Sequence, residues 1–86
     1  KNLNLQTFRI TENLNFEKLK KIIFDFWELS DNIKHYDLFF IENESTCLIQ
    51  DSQKFEKVNE FLKNKSLKKA EFIIISKNNY FGKFFY

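Results

Sequence analysis

The chain has 86 residues, 43% of them hydrophobic and 30% charged, with 14 basic and 12 acidic side chains giving a net charge of +2. This length describes one domain, residues 1–86, with a small core and a thin stability margin. Charges this nearly balanced do not by themselves point to nucleic acid or a membrane surface.

Phenylalanine accounts for 12 residues, against 1 glycine, 1 cysteine, 1 histidine and no proline. Phenylalanine carries a large apolar payload for a small core. Lys, Asn, Ile and Phe are also the residues an AT-rich genome favours, so the Phe and Lys counts are not read as functional signals.

In chain order, Leu3 to Thr11 reads as a strand. Leu3 and Leu5 alternate with polar residues, then Phe8 and Ile10 take the other parity, as a bulge or a change of face would give. Asn15 is placed to cap a helix running to about Ser30. Phe16, Leu19, Ile22, Ile23, Phe26, Trp27, Leu29 and Ile33 fall on its buried side, with Glu17 and Lys21 paired on the other. Phe24 departs from that stripe and falls among charged residues. Tyr36 to Glu42 is the next strand, apolar on both faces like a central strand covered on both sides. Asn43 to Ser45 is turn-like, and Thr46 to Ile49 is either a short returning strand or the loop into the next helix. Asp51 or Ser52 caps a second helix through about Lys63, with Phe55, Val58, Phe61 and Leu62 as its buried stripe. Phe72 to Ile75 is another two-faced strand. Asn78-Asn79 suits a two-residue hairpin turn leading to a last strand, Tyr80 to Tyr86. The expected fold class is α/β (α+β). It is a two-layer sandwich of a four- or five-stranded sheet with two helices on one face, in the order β-α-β-(β)-α-β-β.

Little in the sequence carries chemistry. A loop that cradles phosphate needs several glycines, and only Gly82 is present. A zinc site needs three or four Cys, His or acidic ligands. The lone Cys47 and His35 flank an apolar strand. Sequence distance does not exclude a Cys/His pair. Even so, Cys47 in Thr-Cys-Leu-Ile reads as an inert core thiol, and His35 as a solvated or helix-capping side chain. Glu42 and Glu44 stand at a turn tip, where nothing raises a carboxyl pKa. No catalytic residue, metal, cofactor or small-molecule substrate is therefore indicated, and the chain is read as a non-enzyme. One cysteine fits a reducing compartment, and a cytoplasmic location is expected. The apolar runs Leu38–Ile41 and Phe72–Ile75 are too short to span a bilayer, and no charged-then-apolar leader opens the sequence.

Two surfaces stand out. The tail Tyr80-Phe81-Gly82-Lys83-Phe84-Phe85-Tyr86 joins large apolar side chains to a strand edge that invites another chain. Phe24, Tyr80, Phe81, Phe84, Phe85 and Tyr86 are the candidate contacts for a protein partner or a second copy. The stretch from Lys54 to Lys69 is basic, and Lys63, Lys65, Lys68 and Lys69 beside the tail are candidate contacts for single-stranded nucleic acid, the alternative reading.

Residues 36–76 run from an apolar strand ending in an acid, Asp37-Leu-Phe-Phe-Ile-Glu42, through Asp51-Ser52 to Phe55, Val58, Phe61 and Leu62, then a lysine-rich connection into Phe72-Ile-Ile-Ile-Ser76. This pattern resembles the STAS-like domains, which include the bacterial anti-sigma-factor antagonists. In those antagonists a phosphorylated serine sits in an Asp-Ser-Ser-Gly-Leu-Gly-like turn at a helix start. Asp51 and Ser52 match that turn, while Gln53, Lys54 and Phe55 replace the rest. The resemblance implies a non-catalytic regulatory or scaffolding module acting through protein contacts, with Ser52 as its candidate phosphosite.

Overall fold

The computed structural model describes residues 10–67 and 70–77. Helix α1 is Phe16–Phe26, strand β1 is Tyr36–Glu42, strand β2 is Ser45–Leu48, helix α2 is Val58–Asn64 and strand β3 is Glu71–Ser76. Two 3-10 turns, Ile33–His35 and Asp51–Gln53, precede β1 and follow β2.

Asn15 caps α1 as expected: its backbone is extended and its Oδ1 accepts from the Lys18 N–H at 2.9 Å. Asn15→Ala is expected to lower the unfolding free energy by about 1 kcal/mol, read from the midpoint of a urea titration. The helix stops at Phe26, short of Ser30. Glu28 takes the left-handed conformation at φ 52°, and its N–H turns back to the Asp25 carbonyl at 3.1 Å. Phe16, Leu19 and Ile23 are buried, whereas Ile22, Phe26 and Trp27 are exposed. The ion pair on the outer face joins Lys21 to Asp25 at 3.2 Å, in place of the expected Glu17–Lys21 pair.

The sheet corrects the expected strand count. It has three antiparallel strands among the described residues, in the order β2-β1-β3, where four or five were expected. The additional strands were read at Leu3–Thr11 and Tyr80–Tyr86. The second lies outside the described residues, as does the first except for Ile10 and Thr11, which belong to no strand. Ile10 packs against the core instead. Alternation says which face side chains take once a segment is extended; it does not say that a neighbouring strand offers it hydrogen bonds. The turn between β1 and β2 joins the Glu42↔Ser45 pair through Asn43 at φ 51° and Glu44 at φ 67°. Positive φ at both central residues is the type I′ arrangement that matches strand twist.

Leu38 and Phe40 project from one side of β1 into the core shared with Phe16, Leu19 and Ile23 of α1 and Val58 and Leu62 of α2. Phe39, on the opposite side by strand alternation, is also buried at 1% exposure. The centre of β1 is therefore covered on both faces, as its continuous apolar run indicates. Four phenylalanines form a closed ring of contacts on the helix side. Phe16–Phe61, Phe61–Phe40, Phe40–Phe72 and Phe72–Phe16 have centroids 5.1, 5.2, 5.4 and 5.8 Å apart. One ring comes from each of α1, α2, β1 and β3, so this single cluster joins four elements. Two of the contacts are edge-to-face, the favoured geometry for aromatic pairs.

The second helix differs most from its sequence pattern. Asp51 and Ser52 do not cap an α-helix. They lie in a 3-10 turn preceded by Gln50, whose N–H donates to Gln53 Oε1 at 2.9 Å, and α2 begins only at Val58. Residues 54–57 are instead drawn to the start of α1. The Glu17 N–H donates to the Lys54 carbonyl at 2.8 Å, and the Phe16 N–H to the Glu56 carbonyl at 3.2 Å. In return the Val58 N–H donates to the Leu14 carbonyl at 2.9 Å. Each helix thus satisfies first-turn donors that no intrahelical carbonyl can reach. Phe55 is consequently not part of a buried stripe; it is 65% exposed, with the Lys54 ammonium 5.0 Å above its ring. At its far end α2 closes with Ser66 at φ 58°. The Leu67 N–H reaches the Leu62 carbonyl at 2.9 Å and the Ser66 N–H the Lys63 carbonyl at 3.0 Å, a complete Schellman motif.

Candidate functional site

Two surface features concentrate side chains that can meet a ligand or partner. The first is an open cleft of about 420 Å³ where the start of α1, the 3-10 turn before β1, the first half of β1 and the segment after β2 converge. Its apolar lining is Phe16, Ile33, Leu38 and Ile49. Ile49 is held there by an N–H bond to the Leu38 carbonyl at 2.9 Å. Lys20, Lys34, Lys54 and Lys77 line the same space, together with Glu17, Asp37 and Asp51.

These charges are unevenly matched. Lys77 stands 4.0 Å from Asp37. Lys20 is partly buried, and among the described residues no hydrogen bond or ion pair reaches its ammonium. Burial lowers its pKa from the ordinary lysine value; Asp37 and Asp51 act in the opposite direction, and Lys77 adds to the lowering. Lys20 follows Phe16 by one helical turn and precedes Ile23 by three residues, so it interrupts the buried side of α1. A lysine inside an apolar stripe was the signal available in the sequence, and the stripe reading passed over it.

The second feature is apolar. Ile22, Phe26 and Trp27 are 38%, 41% and 46% exposed at the end of α1. Ile22 and Phe26 are one turn apart, and the rings of Phe26 and Trp27 meet edge-on at 5.1 Å. The helical pattern assigned all three to the core. Phe24, expected as a partner anchor, lies half-buried with its ring centre 5.6 Å from that of Tyr36, edge to face.

Other candidates are dispersed. Ser52 is exposed within its 3-10 turn. Lys63 is exposed in the last turn of α2. Lys65 is committed within the fold: its ammonium lies 3.3 Å from Glu42 and 5.8 and 5.5 Å from the Phe40 and Phe61 ring centres. Lys68, Lys69, Tyr80, Phe81, Phe84, Phe85 and Tyr86 lie outside the described residues. Cys47 is exposed, which corrects its reading as a core thiol. It pairs with Phe40 from β2, an edge strand of the described sheet. His35 is exposed and its Nδ1 is 3.0 Å from Asp31 Oδ1. The Asn32 N–H, and then His35, hold the Asp31 carboxyl below its ordinary pKa.

Among the described residues no group of His, Cys, Asp and Glu is arranged to hold a metal, and no helix is long and apolar enough to cross a membrane. Compared with protein-family models, curated proteins and solved structures, the chain matches none of them.

Proposed function

We propose that the chain is a non-enzymatic binding module that acts through protein contact, and that the partner at the end of α1 is a second copy of the chain. The observation that carries this reading is the contiguous exposed cluster of Ile22, Phe26 and Trp27. Large apolar side chains gathered in one patch mark contact surfaces, whereas scattered ones do not. The charge on α1 favours a copy over an unrelated chain. Lys18 precedes the patch, Glu28 follows it, Lys21 and Asp25 are paired with each other, and no basic residue occupies the last turn. Two copies packed antiparallel about a twofold axis set Lys18 of each towards the acidic end of the other's helix, a self-complementary isologous contact. A patch this small gives a weak, reversible dimer.

Trp27 is the only tryptophan, so its emission reports this surface directly. Raising the protein concentration is expected to move the emission to shorter wavelength in step with the dimer fraction seen by sedimentation equilibrium. Phe26→Ser should hold the chain monomeric while the far-ultraviolet circular dichroism is unchanged. A monomer at every concentration, with emission that does not move, overturns the proposal. The nucleic-acid alternative draws less support, because Lys65 is engaged with Glu42 and two aromatic rings.

A further inference from the structure

The geometry points to a second site: the cleft beside the start of α1 binds a small phosphomonoester whose apolar body rests on Phe16, Ile33, Leu38 and Ile49 while its phosphate meets Lys20 and Lys34. The volume, about 420 Å³, lies within the range that accepts a small organic molecule. The lining sets an apolar floor of four side chains beside seven charged ones, richer in charge than the usual small-molecule pocket and suited to an ionic ligand. Four lysines line the cleft against three carboxylates, Glu17, Asp37 and Asp51, which leaves one ammonium in excess. Lys20 is the group most in need of a partner. It is drawn partly out of water, with no hydrogen bond or ion pair among the described residues, and burial already disfavours its charge. A bound dianion restores that interaction, and a lysine ammonium is a natural point-charge partner for phosphate.

The floor and the charges come from separate segments, α1, the 3-10 turn before β1, β1 itself and the stretch after β2. The recognition therefore belongs to the folded chain and to no single peptide. The site is distinct from the exposed cluster of Ile22, Phe26 and Trp27, none of which lines the cleft.

The test is a titration of the full chain with phenyl phosphate and, separately, with inorganic phosphate, followed by amide NMR. Phenyl phosphate is expected to shift the amides of Lys20, Lys34, Asp37 and Gln50 saturably, and inorganic phosphate to bind much more weakly for lack of contact with the floor. Lys20→Met should weaken phenyl phosphate by about tenfold, the effect of losing one charge-assisted hydrogen bond. Lys63→Met, on α2 and away from the cleft, should change nothing. Lys34→Met provides the same reading if the first variant does not fold. Equal binding of both probes, shifts scattered over all the lysines, or undiminished affinity in a folded Lys20→Met or Lys34→Met chain overturns the assignment.

Discussion

Phe40→Ala is expected to lower the unfolding free energy by about 3–5 kcal/mol, the usual result of deleting a buried phenylalanine. Phe40 is 1% exposed, sits on the central strand and touches the rings of Phe61 and Phe72. The Lys65 ammonium lies over the same ring, so its truncation also removes a cation–π contact. A small domain has only about 5–10 kcal/mol to lose, and so the variant should populate the unfolded state in mild urea. Phe55→Ala is the matching control. Periodicity along the sequence gives both residues a core role, but Phe55 is 65% exposed and its removal should stay within about 0.5 kcal/mol of zero. Similar losses from the two variants would mean that residues 51–57 form the buried helix their pattern suggests, and that the bonds between the helix starts are wrong. Phe40→Leu, which keeps most of the volume, should recover much of the loss.

The second large effect has the opposite sign. The described residues place Glu28, Asn43, Glu44 and Ser66 at positive φ, a region where a side chain crowds its own backbone. Glycine ordinarily takes such positions, yet the chain contains only Gly82. Glu44→Gly and Ser66→Gly should therefore each raise stability by about 1 kcal/mol, after allowance for the greater freedom glycine has in the unfolded chain. The two sites belong to different elements, the β1–β2 turn and the end of α2, which the Glu42–Lys65 pair joins, so the double variant measures the coupling between them. In a domain of this size each step should lift Tm by about 4–8 °C in a thermal scan. Ser66→Ala gives the discriminating result. It keeps the Cβ that causes the crowding and should give no gain. A gain from alanine equal to that from glycine would rule out the left-handed conformation at the end of α2.

Those substitutions also show why parts of the fold were readable from sequence and others were not. The cap at Asn15 and the span of β1 depend on neighbouring residues, and the structure has both where local chemistry puts them. The ends of the helices depend on residues that carry no stop signal. Glu28 terminates α1 without being glycine, asparagine or proline, so the apolar period appeared to continue through Trp27 and Leu29. The start of α2 was hidden for a different reason. The carbonyls of Lys54 and Glu56 accept from α1, a pairing between segments far apart in sequence, and it overrides the helical period around Phe55. Cys47 was misplaced because an apolar context does not reveal that β2 lies at the edge of the described sheet. The cleft was legible only as Lys20 interrupting a stripe, since its other lysines come from segments that the fold alone brings together.

The exchange of backbone bonds between Leu14–Glu17 and Lys54–Val58 bears on how the molecule assembles. Neither helix completes its opening turn from its own segment, so each should be poorly formed in an isolated fragment and should appear only as the long intervening loop closes. A peptide ending before Lys54 retains every residue of α1 but lacks two of its acceptors; mixing it with the remaining piece should restore helicity to both at once. Cooperativity in so short a chain would then arise at the level of main-chain pairing, before any side chain has found its place.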